Sequence, residues 1–226
     1  MTELKKELFE ILKANGAELM GVGDIEGILD TDMKRGVAVV MHLPVDMVEV
    51  LKDHPTDETQ ATYAAFRPHI EAIVAAGADF LRSKGYNVVT GMLGDKPLSH
   101  KTVATRAGLG WVGKNNILVT KEFGSAIRLS SMLTDAPLEA DEPITESKCG
   151  ACDLCVKLCP ANALTGKLWE PGLEKGALAD DVVCLGFAKE RQEKDPYYKN
   201  IMMCGKCYAV CPYTQGYHNR MKKENQ

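Results

Sequence analysis

Four cysteines fall within eleven residues of "CGACDLCVKLCP", at positions 149, 152, 155 and 159, and Pro160 follows the last. Cys184 stands alone, and Cys204, Cys207 and Cys211-Pro212 repeat the C-x2-C-x3-C-P half of that pattern. All eight cysteines therefore lie in the last third of a 226-residue chain. A disulfide scaffold of that density belongs to short secreted chains. The start here, "MTELKKELFEILKANG", is charged and amphipathic, with no long apolar stretch to direct export. The expectation is a cytoplasmic protein with reduced thiols, and thiols clustered in this way point to metal.

Cys149, Cys152, Cys155 and Cys159-Pro160 match C-x2-C-x2-C-x3-C-P, the bacterial ferredoxin spacing for a cubane iron–sulfur cluster. Two-residue loops let three thiolates reach neighbouring corners of one cluster. In two-cluster ferredoxins the fourth cysteine of each run ligates the other cluster. That rule assigns Cys149, Cys152, Cys155 and Cys211 to one [4Fe–4S] cluster. Cys159, Cys204 and Cys207 go to the second, and Cys184 is the cysteine left to complete it. A pair of structural zinc sites is the plainer alternative, but a third thiol at x2 and a fourth at x3-Pro are not usual zinc spacing.

Ahead of the cysteines the pattern mixes helix and strand. Leu4, Leu8, Ile11 and Leu12 recur at helical spacing, and Asn15-Gly16 offers a stop. "GVAVVMHLP" (36–44) reads as a buried strand. Residues 55–85 read as helical, with Pro68 starting a second half whose buried face is Ile70, Ile73, Val74 and Leu81. Further strands are expected at 86–92, 116–120 and 125–134. Without a clean βαβ rhythm, the expectation is an α+β domain over 1–145 and a cysteine domain over 146–226. The acidic, proline-bearing stretch 135–147 reads as the linker between them.

Net charge is -4, with 27 basic against 31 acidic side chains. No basic field advertises a nucleic acid or an anionic membrane, so neither specific tRNA binding nor membrane association is expected. No run of about 18 apolar residues occurs.

A second dense motif spans "ATRAGLGWVGKNNILVTKEFGS", Ala104 to Ser125. Its glycines with Trp111 suit backbone lying against a flat ligand. "GLGWVG" formally fits a dinucleotide fingerprint, but no strand clearly leads into it and no helix follows. A glycine-rich turn that packs Trp111 into the core is the third reading.

"AGLGWVGKNNILV", then "FGS", then "LTDAPL", then the two cysteine runs in this order, together resemble the epoxyqueuosine reductases, relatives of the reductive dehalogenases. The resemblance covers residues 90–226 well and the N-terminal part loosely. It implies a cobalamin-binding α+β domain of nitroreductase-like shape, followed by a two-cluster ferredoxin-like domain that reduces the cobalt. It makes Gly108, Leu109, Gly110, Trp111, Gly113 and Lys114 cofactor contacts, with Gly124 and Ser125 nearby. The family's acidic proton donor lies three residues before a proline. Counting back from Pro97 gives Gly94, with Asp95 one place off, so Asp95 and His100 are the catalytic candidates. The family's helical-repeat extension does not follow the cysteines.

The function expected is an iron–sulfur reductase. A low-potential donor of ferredoxin or flavodoxin type would feed it, and a bound corrinoid would act on a small-molecule or protein-borne substrate. The alternative is a cobalamin-free electron-transfer protein that docks a redox partner such as a corrinoid protein.

Overall fold

The computed structural model describes residues 1–53, 55–91, 98–174, 176–194 and 204–224. Gly94, Asp95 and Pro97 lie outside the described residues. Along the chain come α1 (Glu3–Ala14), β1 (Leu19–Asp24), β2 (Arg35–His42), α2 (Val45–Val50), α3 (Asp57–Ser83), β3 (Val88–Thr90) and α4 (His100–Arg106). There follow β4 (Trp111–Val112), β5 (Leu118–Val119), β6 (Ile127–Thr134), α5 (Leu154–Lys157), α6 (Asp181–Lys194), α7 (Lys206–Ala209) and α8 (Pro212–Glu224). No helix among them is long and apolar enough to cross a membrane.

The chain forms two compact units, and neither is one continuous run. The first comprises residues 1–42, 66–110 and 128–145; the second comprises 43–65, 111–127 and 146–226. The cysteine-bearing unit thus recruits two segments from before residue 145, the position where the sequence suggested a single division.

In the first unit a four-stranded sheet runs in the order β1-β2-β6-β3. The β1–β2 pair is antiparallel, from Leu19 opposite Val40 to Asp24 opposite Arg35, and β3 runs antiparallel to β6. Leu8 and Leu12, four apart on α1, meet Ile70, Ile73, Val74 and Leu81 of α3 and Val37, Val39 and Met132 of the sheet. Each such fully buried side chain contributes about 1.5–3 kcal/mol. Helix α3 continues through Pro68 rather than restarting there. The ring removes one backbone donor from the helix, and the buried apolar face follows it at Ile70, Ile73, Val74 and Leu81.

Strand β1 has no counterpart in the sequence expectations, because its glycines weaken the apolar alternation. The structure gives their reason. A Cβ on Gly21 would lie 2.4 Å from the Ala107 carbonyl oxygen, and one on Gly23 would lie 2.8 Å from Arg106 Cβ. The end of α4 therefore rests directly on the backbone of β1.

The stretch read as a linker is held along most of its length. Asp141 accepts from the Lys5 ammonium at 2.5 Å and from the Val22 amide at 2.8 Å. The Asp141 amide donates to the Val22 carbonyl and the Ile144 amide to the Thr105 carbonyl, while Ala136 and Leu138 are buried. Residues 135–145 form a strap on the first unit. Its anchor is an ion pair whose lysine is only 3% exposed, and periodicity does not register such a contact.

In the second unit β4 and β5 form a short antiparallel hairpin. Its loop closes with the Gly113 amide on the Ile117 carbonyl and with Asn116 at φ 59°, a conformation asparagine tolerates. Helix α8 opens on Pro212, which fits the first helical position because its missing N–H would be unpaired there anyway. The helix is pinned along one side. The Thr214 hydroxyl accepts from the Ser125 amide at 2.9 Å, the Tyr217 hydroxyl donates to the Leu43 carbonyl at 3.3 Å, and His218 Nδ1 lies 3.0 Å from a Glu49 carboxylate oxygen.

Candidate functional site

Within the second unit the eight thiols line two cavities, four to each. Cys149, Cys152, Cys155 and Cys211 surround one of about 100 Å³, together with Lys114, Asn115, Val119, Pro212 and Tyr213. Cys159, Cys184, Cys204 and Cys207 surround another of about 280 Å³, whose other walls include Ala163, Leu164, Phe187 and Tyr208. Asn115 lines both, so the two cavities adjoin.

Electrostatics sort the sulfurs in the same way. Burial, then the neighbouring Cys211, Cys149 and Cys152, push the Cys155 thiol up to about 11. Burial raises Cys211, the amides of Thr214 and Tyr213 at the start of α8 pull it down, and Cys149 and Cys152 raise it further. In the other set Cys184 is raised by burial, then by Cys159 and Cys204. Cys207 is raised by burial, then by Cys204, Cys155, Cys184 and Cys159. Cys155 thus acts on Cys207 across the two sets. Thiols crowded in this way ionise together only when a cation offsets their charge, so iron enters as protons leave. Among the described residues no three ligating side chains gather as a site for a single metal ion. The thiols instead line walls around a volume, as a multi-iron cluster requires.

Local structure explains the spacing. Short helices α5 and α7 each follow the first cysteines of a run and turn the next sulfur inward. The Ala163 amide donates to Cys159 Sγ at 3.4 Å, a contact that stabilises a thiolate.

The glycine-rich stretch is divided. Gly108, Leu109 and Gly110 belong to the first unit, and Trp111, Gly113, Lys114, Gly124 and Ser125 to the second. A Cβ on Gly108 would lie 2.6 Å from the Glu142 carbonyl oxygen, one on Gly113 2.6 Å from Asn115 Oδ1, and one on Gly124 2.2 Å from the Thr214 amide nitrogen. In those three directions the space is filled by the chain itself, so each position requires glycine for packing. Ser125 is buried, with Asn115 Nδ2 donating to its hydroxyl at 3.0 Å. Leu109 lines a hollow of about 500 Å³ between α1 and β1. Trp111 is 4% exposed, stands edge-on to Tyr213 at 4.8 Å, and among the described residues its Nε1 has no hydrogen-bond partner. Lys114 lines the first cysteine cavity.

His100 opens α4, with Ser99 as the cap, and its Nδ1 lies 2.8 Å from the Ser131 hydroxyl on β6. Burial lowers its pKa below the ordinary imidazole value, so it is neutral at neutral pH. Asp95 lies outside the described residues. Residue spacing did not single out Asn115 or Asp181, both of which line the second cavity. The turn-forming "KNN" run was the available signal for the first.

Residues 148–214 match the 4Fe-4S double cluster binding domain family. An epoxyqueuosine reductase of Listeria monocytogenes is 35% identical over 133 residues, 56% of this chain and 32% of the relative. The chain spans about a third of the length of the curated relatives it matches. A crystal structure of an epoxyqueuosine reductase with an epoxyqueuosine-modified tRNA-Tyr stem loop superposes at TM-score 0.64 and 26% identity, covering 95% of this chain and 66% of that one. A reductive dehalogenase whose structure suggests a mechanism for B12-dependent dehalogenation superposes at TM-score 0.70 and 18% identity, covering 96% of this chain and 33% of that one. The expectation of no specific tRNA binding is overturned by the stem-loop complex of the relative. Net charge averages over a whole chain, whereas an RNA contact needs only one suitable face. The chain is thus similar to the epoxyqueuosine reductases over a little more than half of its length, shares their mixed helix-and-sheet fold, and carries a double 4Fe-4S cluster binding domain over residues 148–214.

Proposed function

We propose that the chain is a reductase whose two clusters relay electrons singly. Cys149, Cys152, Cys155 and Cys211 hold one cluster, and Cys159, Cys184, Cys204 and Cys207 hold the other. The observation that carries this reading is the sorting of all eight thiols into two adjoining four-sulfur cavities. Reduction of an epoxide consumes two electrons and two protons, and a cubane cluster of this kind cycles by one electron. Two adjoining clusters can therefore hold the pair. By likeness to the relatives, the proposed substrate is the epoxide of epoxyqueuosine carried on tRNA.

A corrinoid, the cofactor named for the B12-dependent relative, is proposed as the electron acceptor. When bound it would supply a cobalt centre able to pass electrons to the substrate. Trp111, whose buried N–H has no partner among the described residues, is the residue proposed to hold it. The filled space at Gly108, Gly113 and Gly124 supports a packing role for those glycines. Asp95 is the proposed proton donor. His100, neutral and bonded to Ser131, is better suited to fixing α4 against β6.

The test is anaerobic incubation of the iron-loaded protein with cobalamin, followed by removal of what does not bind. Retained corrin bands over the cluster absorption are expected, as is conversion of epoxyqueuosine-bearing tRNA with a strong reductant. Trp111→Ala should weaken retention and leave the iron content unchanged. Intact clusters with no retained corrin would overturn the corrinoid reading in favour of an electron-transfer protein.

A further inference from the structure

The two cysteine cavities differ in the charges that line them. Lys114 is the only charged side chain other than cysteine among the described residues lining the first cavity, and it is 8% exposed. No ion pair to it occurs among the described residues. The second cavity is lined by Lys206 and Asp181, one charge of each sign. Lys206 is half-buried and Asp181 is exposed, so solvent screens both, and their charges are opposite in sign. Asp181 is close enough to Cys184 to raise its thiol pKa.

Reducing a [4Fe–4S] cluster adds one negative charge. A fixed cation beside it in a poorly hydrated pocket stabilises the reduced form and raises the potential. The hairpin loop holds Lys114 there by a closed set of bonds. Gly113 and Ile117 close the loop, and Asn115 is fixed to Ser125 and reaches the Cys207 carbonyl at 3.5 Å.

We propose that Lys114 sets the cluster of Cys149, Cys152, Cys155 and Cys211 at a higher potential than its neighbour. An electron arriving at the cluster of Cys184 then passes to the Cys211 side, oxidising the first carrier and reducing the second one for one. Lys114 is a tuning residue and ligates nothing. The inference rests on the ligand assignment above, which iron and sulfide counts test separately.

The experiment is a dithionite titration of anaerobic holoprotein and of Lys114→Gln, Lys114→Met and Lys114→Arg, followed by electron paramagnetic resonance. The signals are assigned to their clusters in a Cys184→Ser background. Both neutral variants are expected to shift the first cluster's reduction equilibrium at least tenfold toward the oxidised form, 59 mV for a one-electron couple. The second cluster should move much less, and Lys114→Arg should stay near wild type. Unchanged potentials, or equal shifts in both clusters, would overturn the proposal. Loss of iron from both neutral variants would also overturn it, since Lys114 would then be holding the cluster together. An iron count that was wrong already in the unmodified protein would instead overturn the ligand assignment.

Discussion

The two cysteine cavities share a sequence pattern, yet they occupy different environments. Around Cys211 the walls are close. That cysteine is 9% exposed, backbone amides of α8 point at its sulfur, and the hairpin loop supplies Lys114. Around Cys184 the cavity is larger and mostly apolar, and the cysteine itself, carried on α6, is exposed. Repeated spacing thus specifies that a cluster can form. The segments recruited from elsewhere in the chain decide how dry and how charged its surroundings are.

The most disruptive way to probe this contrast is to remove one ligand from each side. Cys184→Ala should lose about half the iron while the protein stays folded, because the side chain leaves an exposed site and little packing is lost. Cys211→Ala should also lose about half the iron, but with a clear drop in melting temperature, since it empties a buried position at the start of α8. Equal thermal effects from the two variants would erase the contrast.

Gly124→Val probes the seating of α8, whose Pro212 and Tyr213 line the first cavity, without touching a ligand. Gly124 sits at φ +59°, and any Cβ there would meet the Thr214 backbone. A destabilisation of about 3 kcal/mol is expected from strain and overpacking. In denaturant the first cluster should be lost before the second. A variant as stable as wild type would mean that α8 is not held in place here.

The smallest expected effect is one of pH. Burial lowers the pKa of His218 on α8 despite the Glu49 carboxylate beside it, and burial lowers that of His100 as well. Below the ordinary imidazole value of 6.5 the unfolded chain binds protons that the folded chain excludes. Stability should therefore be fully present above that value and decline as pH falls toward the depressed folded values. His218→Gln should reduce that slope in denaturant titrations between about pH 7 and 5; an unchanged slope would remove His218 from the account.

Much of this was legible in residue spacing. Regular apolar recurrence marks α1, α3 and β2, because core burial imposes it. The cysteine runs mark clusters, because ligand geometry imposes them. What remained illegible depends on contacts between distant segments. The glycines of β1 make sense only beside α4, and the strap over 135–145 only beside Lys5. The hairpin loop of Lys114 and Asn115 makes sense only beside cysteines that come 34 or more residues later. Whole-chain charge misled on tRNA for a related reason, since it records composition and carries no information about a face.

The central claim is that eight thiols hold two [4Fe–4S] clusters with no sulfur to spare. Iron and acid-labile sulfide analysis of protein purified without oxygen tests it most directly. Eight irons and eight sulfides per chain are expected; stoichiometric zinc, or four irons with four titratable free thiols, would contradict the two-cluster assignment.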